Sequence, residues 1–287
     1  LNQGIAAALV THVAYAFGGI SSTYAARKIS GVASAFWIQI GSLIFAFTPI
    51  FFVAVPALNP GIIFMAVVLS ILGQSAWLLY NLALEKGNVP LVAAISGAYP
   101  AIVVMLSVWF YDESITSLQT LAILLAIVGV VLSSLNFKAL KHSKGFRVDS
   151  SIVYSVLALL IWGVYFTFIR SLIEQVGWAW ANFLLAIFGT IYLTLLVRKK
   201  LKTKKIKART AWKSIITASL LLTFGTLTFN IAIDQGQSSV VVPIVGAYPA
   251  MFAVLSYFLF EQKLTRQQLF GVILTLTGVI SLVVLSV

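Results

Sequence analysis

The sequence predicts an all-α integral membrane protein with ten transmembrane helices in two inverted-topology five-helix repeats. Three observations predict it. Hydrophobic residues make up 61% of the 287-residue chain and charged residues 9%, with a mean hydropathy of +1.04. A soluble domain carries about 25% charged residues, so a water-soluble core is excluded. The first half of the chain recurs in the second at a shift of 149 positions. Finally, the basic residues collect in alternate connections between the apolar runs. Barrel strands would show short alternating segments, whereas these runs are long and unbroken.

A membrane-crossing helix needs about 20 mostly apolar residues. Ten such segments run 4–25, 31–54, 61–83, 90–110, 116–135, 151–170, 178–197, 211–233, 239–260 and 266–286. Pro56, Asn59, Pro60 and Gly61 separate the second from the third. Thr116 with Gln119 forms a capping-box pattern before the fifth, and Thr265 with Gln268 repeats it before the tenth. Two connections are long and basic: Asn136 to Ser150, and Arg198 to Lys213. The first divides the chain into repeats at 1–135 and 151–287, with 136–150 as the basic connection.

The repeat is legible without gaps over residues 80–133 against 229–282, with 17 identities in 54 positions. Asn81 falls on Asn230, Gly87 on Gly236 and Gly129 on Gly278. Ser96 to Ile102 (SGAYPAI) falls on Val245 to Met251 (VGAYPAM). Five spans per repeat is an odd number, so the second copy enters the membrane upside down. The charges test this independently. Connections after odd-numbered spans hold 18 of the 19 Lys and Arg residues, and the other side holds only Arg170. By the positive-inside rule the 18-charge side is cytoplasmic, which places both termini outside a plasma membrane that the chain crosses many times.

With these repeats in hand, the chain resembles the drug/metabolite transporter superfamily in its ten-helix, EamA-type branch. Trp162 and Gly163 with Arg170 match that family's Trp-Gly pair and following basic residue, whereas the first repeat has Phe17-Gly18 there. Tyr80 to Ala83 match the end of the third helix. Pro100 with Asp112-Glu113, and Pro249 with Glu261, match the helix-four proline and acidic turn. The resemblance implies a transporter, with amino acid export as the expected activity. Its usual orientation has both termini inside, the reverse of the charge-based reading.

Intramembrane ionisable groups usually mark function. All seven acids fall at span ends or in connections. The glutamate that small multidrug resistance relatives carry in the middle of the first helix is absent, which argues against antiport built on a buried acid. Glu85 and Asp234 occupy equivalent positions and read as solvated helix ends or gate contacts. Arg170 either snorkels to the interface or attracts an anionic group. His12 is a proton-coupling candidate or an interhelical hydrogen-bond partner. Asn81 and Asn230, like Gln39 and Gln74, either pack helices together or line a central cavity.

Tyr15, Trp77, Tyr80, Tyr99, Trp162, Tyr165, Tyr248 and Tyr257 lie in or near the helices expected to enclose that cavity. Each offers an apolar face and one hydrogen-bonding handle, suited to an amphipathic metabolite or a quaternary amine. Pro100 and Pro249 remove backbone donors and bend or break their helices at equivalent points. The expected binding residues are therefore His12, Tyr15, Trp77, Tyr80, Asn81, Tyr99, Trp162, Tyr165, Asn230 and Tyr248. Ala122, Gly129, Gly271 and Gly278 read as a close-packed seam between repeats.

The leading reading is a secondary carrier that exposes a midplane cavity to each side in turn, for a small polar or amphipathic solute. Alternatives are a flippase for a lipid head group or isoprenoid phosphate, a scaffold, or an intramembrane enzyme. No HExxH or GxSxG motif supports the last, and no P-loop supports a self-contained ATP-driven pump. Cofactors and metals are not expected, and cysteine is absent. The basic connections are expected to contact anionic lipid rather than nucleic acid.

Overall fold

A computed structural model describes residues 3–87, 89–134, 150–203, 210–251, 254–255 and 265–286. These residues are helical, with no strand among them. The basic connection 136–149, residues 204–209 of the second basic connection, Tyr257 and Glu261 lie outside the described residues.

Helix α1 (Gln3–Ile29) ends on Arg27 and Lys28, cations suited to the negative end of a helix dipole. Ser30 then turns the chain at φ 124°, and its hydroxyl caps α2 (Gly31–Ala46) by accepting from the Ala33 N–H. The second span was expected to run to residue 54. Instead, α2 stops at Ala46 and a short 3-10 turn follows at Pro49–Phe52. Pro49 has no N–H to continue the ladder. Helix α3 (Pro60–Lys86) begins with Asn59 accepting from the Ile62 N–H at 2.9 Å, and with proline at the first helical position.

The fourth predicted span is two helices, α4 (Val89–Ser96) and α5 (Pro100–Phe110). Gly97 to Tyr99 form the turn between them, and Pro100 starts the new helix rather than kinking an old one. Helix α6 (Ser117–Ser134) opens with the Thr116–Gln119 capping box, whose two backbone–side-chain bonds measure 2.9 and 3.2 Å.

Helix α7 (Ser150–Thr203) has 54 residues. It is two helical stretches joined at a kink, each long enough at about 1.5 Å per residue to match the ~30 Å of bilayer hydrocarbon. Gly177 breaks it at φ 77°, where nothing lies within 4 Å of an added Cβ, so backbone conformation is what calls for glycine here. The break lies between the sixth and seventh predicted spans. Helix α8 (Trp212–Gln235) follows, then α9 (Ser238–Gly246), with Pro243 inside it. Ala247 interrupts α9, and a helical turn at 248–251 follows. Helix α10 (Arg266–Leu285) opens with the complete Thr265–Gln268 capping box.

Seven helical segments among the described residues are long and apolar enough to cross a membrane, and Ser117–Ser133 and Ser238–Met251 are shorter apolar helices. Their packing pairs the two halves of the chain. Helix α1 runs antiparallel to α8. A Cβ on Gly4 would lie 3.1 Å from the Gln235 carbonyl, and one on Gly18 would lie 2.7 Å from Leu222. Helix α3 runs antiparallel to the first part of α7, with Gly73 against Tyr165 and Gly87 against Ser151.

The α6–α10 contact is the seam expected from Gly129 and Gly278. A Cβ on Gly129 would overlap the Thr275 backbone, and one on Gly278 would lie 2.6 Å from the Ala122 carbonyl oxygen. Gly271, in turn, sits on the backbone of Leu132 and Ser133. The broken helices meet in the same reciprocal manner. Gly97 faces the Pro249 ring, and Gly246 faces the Pro100 ring. Each of these contacts maps onto the other under the 149-residue shift.

Candidate functional site: a central aromatic cavity

Where α1, α2, α3, α7 and α8 converge with the two helix breaks, they enclose a cavity of ≈ 190 Å³. Seven of the expected residues line it: Tyr15, Trp77, Tyr80, Tyr99, Trp162, Tyr165 and Tyr248. Phe166 and Phe229 complete the aromatic wall. None of the lining residues is Asp, Glu, Lys, Arg or His.

The aromatic groups hold one another in place. Tyr99 stacks on Phe166 at 4.9 Å between centroids and meets Trp162 edge-on at 6.1 Å. Tyr80 meets Trp162 at 5.2 Å and Trp77 at 6.2 Å. Across the halves, Tyr15 meets Tyr248 edge-on at 6.1 Å. Small residues leave room for this wall. Tyr15 lies over Gly225, and Tyr165 over Gly73.

The polar handles divide into two groups. The Tyr15 hydroxyl bonds Thr226 at 3.2 Å, and the Trp77 indole N–H donates to the Ala35 carbonyl at 3.3 Å. By contrast, the Tyr99 and Tyr165 hydroxyls and the Trp162 indole N–H have no hydrogen-bond partner among the described residues.

The structure leaves three expected binding residues out of the wall. His12 is half-buried on α1, and its Nδ1 donates to the carbonyl of Ile244 at 2.9 Å, tying α1 to the last turn of α9. Asn81 is fully buried; its amide donates to the Trp77 carbonyl at 2.9 Å and accepts from Ser22. Asn230 is fully buried and donates to the Trp178 carbonyl at 3.2 Å. All three carry the interhelical or backbone contacts of a packing role.

The candidate gate residues also lie away from the wall. Glu85 accepts the Gly31 N–H at 2.7 Å, at the turn that joins α1 to α2. Asp234, its counterpart under the repeat, is exposed beside the Gln235 side chain. Arg170 is engaged on three sides: by Glu174 at 2.7 Å, by Glu113, and by the Tyr111 ring at 5.1 Å. Its charge is therefore matched within the protein. Buried Glu113 also accepts the N–H groups of Ser238 and Ser239, which satisfies the amino end of α9.

Sequence reasoning missed the polar part of the wall. Gln39, Gln74, Asn182, Thr223 and Thr226 line the cavity, and only the two glutamines had been singled out. Asn182 was findable as a lone amide inside an apolar span. Thr223 and Thr226 were not, because helix threonines commonly bond their own backbone.

Comparisons with known proteins agree with this architecture. A crystal structure superposes with a TM-score of 0.76 at 13% sequence identity, covering 99% of this chain and 97% of the other, so the two share a fold. An uncharacterized protein of Methanocaldococcus jannaschii is 28% identical over 138 residues, which are 47% of this chain but 97% of that protein. The model of the EamA-like transporter family matches residues 2–135 and again 149–284. With both halves matched, the chain belongs to the EamA-like transporter family, a family of multi-pass membrane transporters and not of enzymes.

Proposed function

We propose that this protein is a secondary carrier that moves a small polar or amphipathic metabolite by alternating access, with amino acid export as the activity that its family resemblance suggests. The observation that carries the reading is the uncharged, aromatic-walled cavity built from both halves of the chain. At ≈ 190 Å³ it falls below the roughly 300–1,000 Å³ of sites for drug-sized ligands. A small solute fits. An ion with net charge would lose its hydration without a counter-charge on the wall, at a cost of several kcal/mol.

Ten crossings in two inverted repeats support the alternating mechanism. The 49-residue apolar segment counts as two crossings split at Gly177, and the two shorter apolar helices bring the total to ten. Antiparallel pairing of α6 with α10 and the reciprocal Gly97–Pro249 and Gly246–Pro100 contacts favour a two-fold relation in the membrane plane. The half-length relative fits one repeat. In this reading the two halves rock about the crossing of the broken helices. The 18-charge side faces the cytoplasm and anionic lipid, with both termini outside.

The flippase reading needs an anion-binding group at the cavity. Arg170 is not on the wall and is held by Glu113 and Glu174. The carrier reading is therefore preferred.

Counterflow into proteoliposomes tests it, with amino acids, amines and sugar phosphates offered with and without a pH gradient. Saturable exchange of a neutral or zwitterionic solute, lost in Tyr99→Ala, is expected. Exchange of sugar phosphates alone would overturn the substrate class.

A further inference from the structure

We infer that Gln74, Asn182 and Thr223 form a polar subsite in the cavity for a solute head group that carries both donors and acceptors and no net charge. The inference deepens the carrier reading and rests on it.

Buried polar atoms without partners are few in native proteins, and each calls for an explanation. Among the described residues, the unpartnered buried side-chain atoms of the cavity wall are Gln74 Oε1, Asn182 Nδ2 and Thr223 Oγ1. They come from α3, α7 and α8, each of which contributes residues to the cavity wall. Asn182 and Thr223 are 5% and 4% exposed.

The orientation of Gln74 is fixed by a relay. Its amide N–H donates to Gln39 Oε1 at 2.8 Å. The Gln39 amide in turn donates to the Ala186 carbonyl at 3.1 Å and to Thr190 at 3.2 Å. This relay leaves the Gln74 oxygen as a pure acceptor. Asn182 makes no hydrogen bond among the described residues, and its amide nitrogen, like the Gln74 oxygen and the Thr223 hydroxyl, is covered by neighbouring atoms in this conformation, so it supplies a donor once the side chains over it move aside. The Thr223 hydroxyl supplies a second. Thr226, three residues on, is already taken by Tyr15 and serves as an internal contrast.

This set is complementary to a head group with an N–H donor for Gln74 and an acceptor oxygen for Asn182 and Thr223. The wall has no charged residue to balance a net charge. A zwitterion or neutral amide brings its own balance, and the aromatic faces opposite take an ammonium or an apolar side chain.

The test uses the purified full chain and three probes with one aromatic ring: phenylalanine (zwitterion), phenethylamine (cation) and N-acetylphenylalanine (anion). Binding is read in detergent from the fluorescence of the protein, which has Trp77 and Trp162 in the wall, and transport is read by counterflow. Wild-type protein is expected to bind phenylalanine about tenfold more tightly than either charged analogue, since a site built for hydrogen bonds rejects a solute that leaves them unmade. Thr223→Val and Asn182→Leu are each expected to weaken phenylalanine binding about five- to tenfold, the value of one hydrogen bond. Ser107→Ala removes an unpartnered hydroxyl away from the wall and is expected to change nothing.

Equal binding of all three probes, unchanged affinity in both wall variants, or no binding of any probe overturns the subsite. Should Asn182→Leu fail to fold, Asn182→Ala and the probe series on wild-type protein decide. Selective binding without any counterflow would instead remove the carrier reading and leave the subsite standing.

Discussion

The carboxylate of Glu113 accepts the backbone N–H of Ser239 at 2.7 Å, joining the turn after α5 to the first residues of α9. The same carboxylate takes the Ser238 N–H and pairs with Arg170. One buried acid thus caps a helix and pairs with the charge of Arg170. Glu113→Gln keeps the shape but loses the charge. It is expected to lower stability by about 2–3 kcal/mol, since hydrogen bonds to a buried charge are worth more than neutral ones. Glu174→Gln removes only the exposed partner and is expected to cost under about 1 kcal/mol. Thermal unfolding of the two variants in detergent measures the difference.

The α6–α10 seam has no room for a side chain at Gly129 or Gly278. Gly129→Val is expected to abolish the folded state, read as loss of a monodisperse peak after extraction. Gly177→Ala meets no atom and strains only the backbone, so it is expected to fold with a loss of about 1–3 kcal/mol. Equal damage from the two substitutions would show that crowding is not what the seam glycines relieve.

The Tyr99 hydroxyl has no hydrogen-bond partner among the described residues, whereas the Tyr15 hydroxyl bonds Thr226. Tyr99→Phe is expected to leave the melting temperature within error and to lower the counterflow rate severalfold. Tyr15→Phe is expected to shift both. A Tyr99→Phe protein with full transport would remove that hydroxyl from the site.

Lys86 and Gln235 are exposed, stand at equivalent points of the repeats, and belong to a chain without cysteine. In Lys86→Cys and Gln235→Cys, an impermeant maleimide is expected to reach the first only from the cytoplasmic side and the second only from outside. Labelling of both from one side would refute the inverted arrangement, and a swap of sides would reverse the orientation.

The sequence by itself determined the membrane class, the repeat and most helix ends. Those signals are local: apolar length, the Thr116–Gln119 and Thr265–Gln268 boxes, and the Asn59–Pro60 start of α3. The aromatic residues of the wall were also readable, since tyrosine and tryptophan in apolar helices near the repeated GAYPA segment are few. Tertiary structure alone decided which polar groups of the helices find partners. Asn81, Asn230 and Asn182 look alike in sequence. Asn81 bonds Ser22 on α1 and the Trp77 carbonyl of its own helix, Asn230 bonds the Trp178 carbonyl on α7, and Asn182 has no partner among the described residues. Hydrogen bonds between helices depend on the positions of distant chain segments, which no single stretch of residues encodes.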